Sequence, residues 1–460
     1  MKSCALRNLG CKVNEYETEA MKRQMQEAGY EIVPFEEAAD VYVVNTCSVT
    51  NIADRKSRQM LHQARKKNPD AVVVAAGCYV QAAADDLLKE GCADILLGND
   101  QKGHLAEAVA EWMRKREDET AGEMACYVSD IGKSREVEEL VLADALDHTR
   151  AFIKIQDGCN QFCSYCIIPY TRGRVRSRRP GEILREVERV VEKGYREVVL
   201  TGIHISSYGL DFVSEEESAK PGAESGIATY DPNRCEALLD LLFSLEQMPG
   251  LERVRLGSLE PRIITPAFVE GLKKCTKFCP HFHLSLQSGC DETLRRMNRH
   301  YTTAEYEAGC RLLREAFEHP AITTDVITGF AGETEEEFAT TTRFLEGLNL
   351  YEIHVFPYSV RKGTRAQRMP GQNTESVKKA RSRVLLDMTK RQSREFRAWY
   401  IGRGVDVLLE EQVEENGRIY SVGHTKEYVK VAFPGGKWEL NTIVHGNVKG
   451  FLTNDKMLAE

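Results

Sequence analysis

No stretch of this chain is apolar over anything near the roughly 18 residues that a membrane span requires. The longest apolar stretches, such as Ala71–Ala76, have the length of a strand. The opening residues, Met1-Lys2-Ser3-Cys4-Ala5, carry no hydrophobic leader. Both absences lead to the expectation of a cytoplasmic protein with no membrane partner. Positive charge is not in surplus either. The formal net charge of −8 excludes a surface coated for nucleic-acid binding and leaves any such role to local patches. No internal repeat is visible beyond an alternation of strands and helices. The composition, 29 % charged and 42 % apolar, suits a folded protein and not a disordered one. With 460 residues the chain is too long for one ordinary core, so two or three domains are expected. Fourteen cysteines in a reducing compartment do not read as a disulfide framework; where they cluster, metal or cluster ligation is the better reading.

Residues 1–113 alternate short apolar strands (Cys4–Leu9, Val41–Asn45, Ala71–Ala76, Ile95–Leu97) with amphipathic helices such as Tyr16–Ala28 and Ala82–Glu90. That rhythm predicts an open parallel sheet with helices on its faces. Cys11, Cys47 and Cys78 each fall just beyond the carboxyl end of a predicted strand, the edge where such sheets bind ligands. The polar stretch 114–148 reads as a linker with one short element around Met124–Val128. Residues 149–395 hold six further strand–helix units, with strands at Ala151–Gln156, Glu197–Thr201, Arg253–Gly257, His281–Leu286, Ala321–Ile327 and Glu352–Phe356. Six consecutive units predict a full or partial (β/α)6 barrel with its site at the carboxyl strand ends. The Ser-, Glu-, Gly- and Pro-rich segment 211–234 reads as a surface insertion. A basic helix is expected over Thr374–Tyr400, and 396–460 turns into strands and turns, a small all-β barrel.

The densest chemical signal is Cys159-Asn-Gln-Phe-Cys163-Ser-Tyr-Cys166, directly after the first strand of the central unit. Three thiolates so spaced can wrap one side of a 4Fe–4S cubane and leave its fourth iron open. A zinc site built from Cys163 and Cys166 with Cys275 and Cys279 is the alternative, and it would leave Cys159 surplus.

The C-x3-C-x2-C triplet with Tyr165 before its last cysteine resembles the signature of radical S-adenosylmethionine enzymes. Asn8–Asn14, Val44–Thr50 and Ala76–Tyr79, together with Gly173–Arg178, Leu284–Gly289 and Gly329–Thr334, are similar to motifs of the methylthiotransferases within that superfamily. The resemblance implies that Cys159, Cys163 and Cys166 hold the cluster whose open iron chelates S-adenosyl-L-methionine and cleaves it to a 5′-deoxyadenosyl radical. It implies that Cys11, Cys47 and Cys78 hold a second, auxiliary 4Fe–4S cluster that delivers the methylthio group. The alternative for these three is burial as small hydrophobes, the reading given to Cys4, Cys92, Cys126, Cys235, Cys275, Cys279, Cys290 and Cys310. Gly202, Ser258, Gln287, Asp325 and Gly329, at or near strand ends, are candidates for contact with S-adenosylmethionine; loop structure is the competing explanation for each.

Arg172, Arg174 and Arg176, with Arg178 and Arg179, follow the cluster loop, and Lys378, Lys379 and Arg381 open a helix stretch with eight Lys or Arg against two acids between Lys378 and Arg397. Together with Arg55–Lys67 these are candidate RNA-binding patches, against the plainer reading of solvated helix faces. The C-terminal unit resembles a TRAM domain, although residues 398–460 carry seven Lys or Arg against nine Asp or Glu. Its Tyr420, His424, Tyr428, Phe433 and Trp438 are read either as base-stacking residues or as barrel core. The resemblance is strongest to the branch that methylthiolates C2 of N6-threonylcarbamoyladenosine beside the anticodon of tRNA, with Leu9–Asn14 and Thr201–His204 as the distinguishing motifs. It implies a tRNA anticodon stem-loop as partner, an electron donor such as a flavodoxin or ferredoxin, and a monomer. The alternatives are isopentenyladenosine in tRNA, an aspartate on a ribosomal protein, and a non-catalytic iron–sulfur RNA-binding or electron-transfer protein.

Overall fold

The computed structural model describes residues 2–460 apart from 119–123, 136, 139, 141–148, 213–229, 232, 233 and 437. Six parallel strands open the chain: β1 (Ser3–Asn8), β2 (Glu31–Ile32), β3 (Val41–Thr46), β4 (Val72–Gly77), β5 (Ile95–Leu97) and β6 (Ala125–Tyr127), in the order β2-β1-β3-β4-β5-β6. Every residue of β3 and β4 is buried, as a parallel sheet covered on both faces demands. Val41, Val43, Val72 and Val74 pack under the helices Lys12–Glu27 and Leu105–Glu117. Tyr42, Val44, Val73 and Ala75 pack under Asn51–Lys67 and Cys78–Glu90. Strand order reverses between β1 and β3, so the crevice beyond their carboxyl ends is a switch point.

The segment read as linker is partly ordered into this sheet. The helix Leu105–Glu117 runs through its first residues, and β6 pairs with β5 from Ile95↔Ala125 to Leu97↔Tyr127. Residues 119–123, 136, 139 and 141–148 of it lie outside the described residues, as does most of the insertion read at 211–234.

The central unit contains β7 (Arg150–Asp157), β8 (Arg176–Ser177), β9 (Glu197–Gly202), β10 (Arg253–Leu256), β11 (His281–His283), β12 (Ala321–Thr328) and β13 (Glu352–Pro357). The parallel strands follow one another as β7-β9-β10 and β11-β12-β13, and the bridges Val254↔Phe278 and Leu259↔Leu284 join the two arcs into a partial barrel. Side chains alternate with the strand period. Ala151, Ile153, Ile155, Val198, Leu200, Val254, Leu256, Phe282, Ile322, Val326 and Ile353 pack outward on the helices. The alternate positions turn inward, and they include Phe152, Lys154, Gln156, Glu197, Arg255, His281, His283, Asp325 and His354. The lumen is therefore polar. The expected strand His281–Leu286 shortens to β11 because the chain leaves regular pairing on its way to Gln287, which is held at φ 72°.

The last unit is a closed five-stranded barrel of β14 (Gly404–Glu415), β15 (Arg418–His424), β16 (Lys430–Pro434), β17 (Ile443–Phe451) and β18 (Met457–Ala459), in the order β14-β15-β16-β18-β17. Sequence reading missed β18, which at three residues is too short to show alternation. The helix Glu375–Ala398 leads into this barrel, its Leu385 and Met388 buried in the central core. The small barrel closes the amino-terminal end of the large one. Arg253 donates to the Asp406 and His424 carbonyls at 2.8 and 2.9 Å, and Arg255 donates to the Lys426 carbonyl at 2.8 Å. Tyr428 is inserted between them, stacked 5.1 Å from His281 with Arg150 and Arg255 over its ring.

Candidate active site

Cys11 caps the helix after β1, Cys47 follows β3 and Cys78 opens the helix after β4, so all three sit on the switch-point crevice. Asn14 ties the first loop to the second, donating to the Leu9 and Thr46 carbonyls at 2.7 and 3.0 Å. Ser57 exchanges hydrogen bonds of 3.3 Å with the backbone of Cys47. Asn99 donates to Cys78 Sγ at 3.4 Å and to the Thr171 carbonyl at 2.7 Å. Burial, and then the neighbouring Cys78 and Cys11, push the Cys47 thiol up to about 11.

The second triplet lies on the loop after β7. Gly158 (φ 72°) starts this loop, and a Cβ there would collide with the Arg174 carbonyl, so only glycine lets the loop lie flat on the strand that follows. Cys159 and Cys163 are buried and Cys166 half-buried. Burial first, then Cys163, raises the Cys159 thiol to about 12; burial with both other cysteines raises Cys166. Arg299, which sequence reading passed over, donates to Cys163 Sγ at 3.3 Å and to the Ser285 carbonyl at 3.2 Å. Nothing near Cys163 in sequence announces it.

Each triplet is a set of thiols with no carboxylate among its three donors, and the burial that disfavours a lone thiolate is relieved by a cationic metal core. Their spacing argues against one shared zinc, whose 2.3 Å bonds would bring sulfurs to about 3.8 Å apart. Among the described residues, three or more His, Cys, Asp or Glu ligand atoms gather within 4.8 Å of one another only at His62–Glu90–Cys92 and His283–Asp325–His354. Neither triplet does so, and neither does a Cys163–Cys166–Cys275–Cys279 set. The wider grip suits a polynuclear cluster.

An ion network links the two triplets. Glu17, on the helix begun by Cys11, is fully buried and bonds Lys102, Lys154 (2.6 Å) and Arg172 (2.8 Å). Arg172 also bonds Asn14 at 2.5 Å and Asp157 at 3.1 Å. Burial alone would raise the Glu17 carboxyl, but Arg172, Lys102 and Lys154 hold it well below the usual range.

This network corrects part of the sequence reading. Arg172 and Arg176 are buried, the latter on Ser134 (2.6 Å) and the Arg172 carbonyl (2.8 Å), so neither is presented to a phosphate. Lys378 is buried against Glu375 at 2.7 Å, and Arg381 against Glu333 at 2.6 Å. Of the candidates, Lys379 is exposed, and half-buried Arg174 lies 4.5 Å over the Phe162 ring. Tyr420 and Phe433 are barrel core, with Trp438 packed on Phe433, and His424 stacks on Tyr428 inside the inter-barrel contact.

The cofactor candidates fall in different places. Gly202 ends β9 against the Gln156 backbone, and Ser258 is exposed beyond β10. Gln287 and Asp325 come together, the Gln287 N–H donating to the Asp325 carbonyl at 2.8 Å. Asp325 Oδ2 stands 3.3 Å from His283 Nε2. The open side of Gly329 is filled by Lys378, and its N–H donates to Glu333 at 2.7 Å. Of the cysteines read as structural, Cys4, Cys92, Cys235, Cys275, Cys279, Cys290 and Cys310 are buried, while Cys126 is exposed.

Comparison with known proteins agrees with this arrangement. Residues 3–98 match the "Uncharacterized protein family UPF0004" and residues 153–345 the "Radical SAM superfamily". The chain is 38 % identical to threonylcarbamoyladenosine tRNA methylthiotransferase MtaB of Bacillus subtilis, over 96 % of this chain and 93 % of that one. It is 36 % identical to the Aquifex aeolicus protein of the same name, covering 94 % and 97 %. A tRNA-2-methylthio-N6-dimethylallyladenosine synthase of Clostridium tetani is 32 % identical, covering 95 % and 91 %. Among solved structures, the radical S-adenosylmethionine methyltransferase TsrM of Kitasatospora setae shares the fold, with a TM-score of 0.52 at 16 % identity over 78 % of this chain and 75 % of that one. The chain belongs to the radical S-adenosylmethionine methylthiotransferase family, as an MtaB-like member.

Proposed function

We propose that this enzyme methylthiolates C2 of N6-threonylcarbamoyladenosine in tRNA, beside the anticodon. Support comes from the relatives that carry that name across most of both chains. The observation that carries the reading is the pairing of two cysteine triplets, one at each carboxyl sheet edge, through the buried Arg172–Glu17–Asp157 network. The dimethylallyladenosine reading rests on relatives of lower identity, 32 % against 38 %.

Cys159, Cys163 and Cys166 hold the 4Fe–4S cluster that takes S-adenosylmethionine, and Cys11, Cys47 and Cys78 hold the auxiliary one. When bound, these groups supply one-electron cleavage of the cofactor and a transferable sulfur, chemistry that an unactivated C2–H bond requires. The chain's own residues position them. Arg299 fixes Cys163, Asn99 fixes Cys78, and Arg172 sets the separation between the loops. Gln287 and Asp325 line the lumen where the cofactor is expected, with Gly202 and Ser258 on neighbouring strand ends. Three units divide the work: 1–113 extended through β6, 149–395, and the 396–460 barrel read as a TRAM domain. The partners are a tRNA anticodon stem-loop and a flavodoxin- or ferredoxin-class electron donor, met by a cytoplasmic monomer.

Nucleoside analysis of tRNA from cells with and without the gene tests this. Loss of 2-methylthio-N6-threonylcarbamoyladenosine alone is expected; an unchanged tRNA profile rejects the substrate. Replacing Cys11, Cys47 and Cys78 together by alanine is expected to lower bound iron from about eight to about four per chain. That variant should still release 5′-deoxyadenosine from S-adenosylmethionine under reduction. The Cys159, Cys163 and Cys166 replacement should abolish that release.

A further inference from the structure

Several cations of the barrel wall are matched by acids. Arg150 pairs with Glu410 at 3.2 Å, Arg255 with Glu197 at 2.8 Å, and Lys154 with Glu17 and Asp157 at 2.6 Å. Lys12, the residue after Cys11, comes in from the first helix and stands with Nζ 5.8 Å from the centroid of the Phe152 ring on the inner face of β7. Among the described residues it makes no ion pair and no hydrogen bond. The residue is exposed, so a ligand can reach its ammonium. His281, His283 and His354 line the same interior, with His283 stacked on His354 at 5.5 Å.

An ammonium directed at the barrel wall with no carboxylate bound to it offers an incoming anion a free charge-assisted donor. The N6-threonylcarbamoyl group carries one carboxylate, and a dimethylallyl group carries none. We propose that Lys12 is the specificity-determining residue that receives the substrate's threonyl carboxylate within the barrel. This rests on the function proposed above. It also ties selection to chemistry: a substituent anchored one residue from Cys11 holds its base beside the auxiliary sulfur source.

The test uses the reconstituted holoenzyme and anticodon stem-loops bearing N6-threonylcarbamoyladenosine, its methyl ester or N6-dimethylallyladenosine. With wild type, the free acid is expected to exceed the ester roughly 10- to 100-fold in kcat/KM, the worth of one charge-assisted hydrogen bond. Lys12→Met should lose that factor on the acid, leave the ester unchanged, and retain its iron and its release of 5′-deoxyadenosine without RNA. Lys12→Arg should restore most of the discrimination. Equal wild-type rates on acid and ester overturn the proposal whatever the variants do, as does a Lys12→Met enzyme that keeps the wild-type preference. A Lys12→Met protein that loses iron leaves the wild-type acid-to-ester ratio to decide. Product from wild type on the dimethylallyl substrate only would defeat the underlying functional reading instead.

Discussion

At the scale of single residues, two positions near the second cysteine triplet carry more than their neighbours. Gly158 has φ 72° with the Arg174 carbonyl where a side chain would stand. Gly158→Ala should therefore cost about 3 kcal/mol or more and lower the iron bound at Cys159, Cys163 and Cys166, as read by thermal unfolding and iron assay. His204, just past β9, bonds Ser207 through Nδ1 at 2.7 Å, while its buried Nε2 has no partner among the described residues. Burial, followed by Arg299 and Arg262, depresses its pKa to about 3. A histidine that stays neutral when folded but protonates near 6.5 when unfolded stabilises the fold above that pH and loses its contribution as pH falls toward 3. Melting temperature should thus drop on acidification from pH 7.5 to 5.5, and His204→Asn should flatten that drop. The cysteines were legible because each motif is local. Arg299 was not, because its partner sulfur is 136 residues away in sequence.

At the scale of elements, the helix Lys12–Glu27 joins the first unit to the second. It packs on its own sheet through Met21 and Met25 and sends Glu17 across to Arg172 and Lys154. Glu17→Gln leaves three buried cations short of one charge, and the loss should be about 3–5 kcal/mol in denaturant unfolding at pH 7.5. Because the folded Glu17 pKa lies below its unfolded value, its contribution is present above pH 4.5 and fades as pH falls, so the gap between wild type and variant should narrow in acid. The same crossing explains why arginines after the cluster loop look like a phosphate grip in sequence. Charge is visible along the chain, but Glu17, Asp157 and Glu333, which neutralise it, arrive from other elements.

At the scale of the whole molecule, the two barrels meet at a polar floor. Tyr428, held at φ 69°, stacks on His424 at 4.4 Å and takes Arg150 and Arg255 on its ring at 4.9 and 4.8 Å. Tyr428→Ala should weaken this docking by roughly 2–3 kcal/mol. The C-terminal barrel should then melt in a separate, earlier calorimetric step. A single transition at the wild-type temperature would show that the floor does not depend on Tyr428.

Periodicity and short motifs decided the open parallel sheet, the six βα units, the terminal β barrel and both cysteine triplets, because each depends on neighbours in sequence: strand alternation, a strand end, a spacing of three or four residues. Pairing across distance belongs to the tertiary structure. It recruited β6 out of an apparent linker, closed the small barrel with β18, buried Arg172, Arg176, Lys378 and Arg381 in ion pairs, and set Lys12 over the Phe152 ring with no ion pair among the described residues. Electrostatic compensation and sheet closure are sums over groups from separate segments, and no window along the chain contains them.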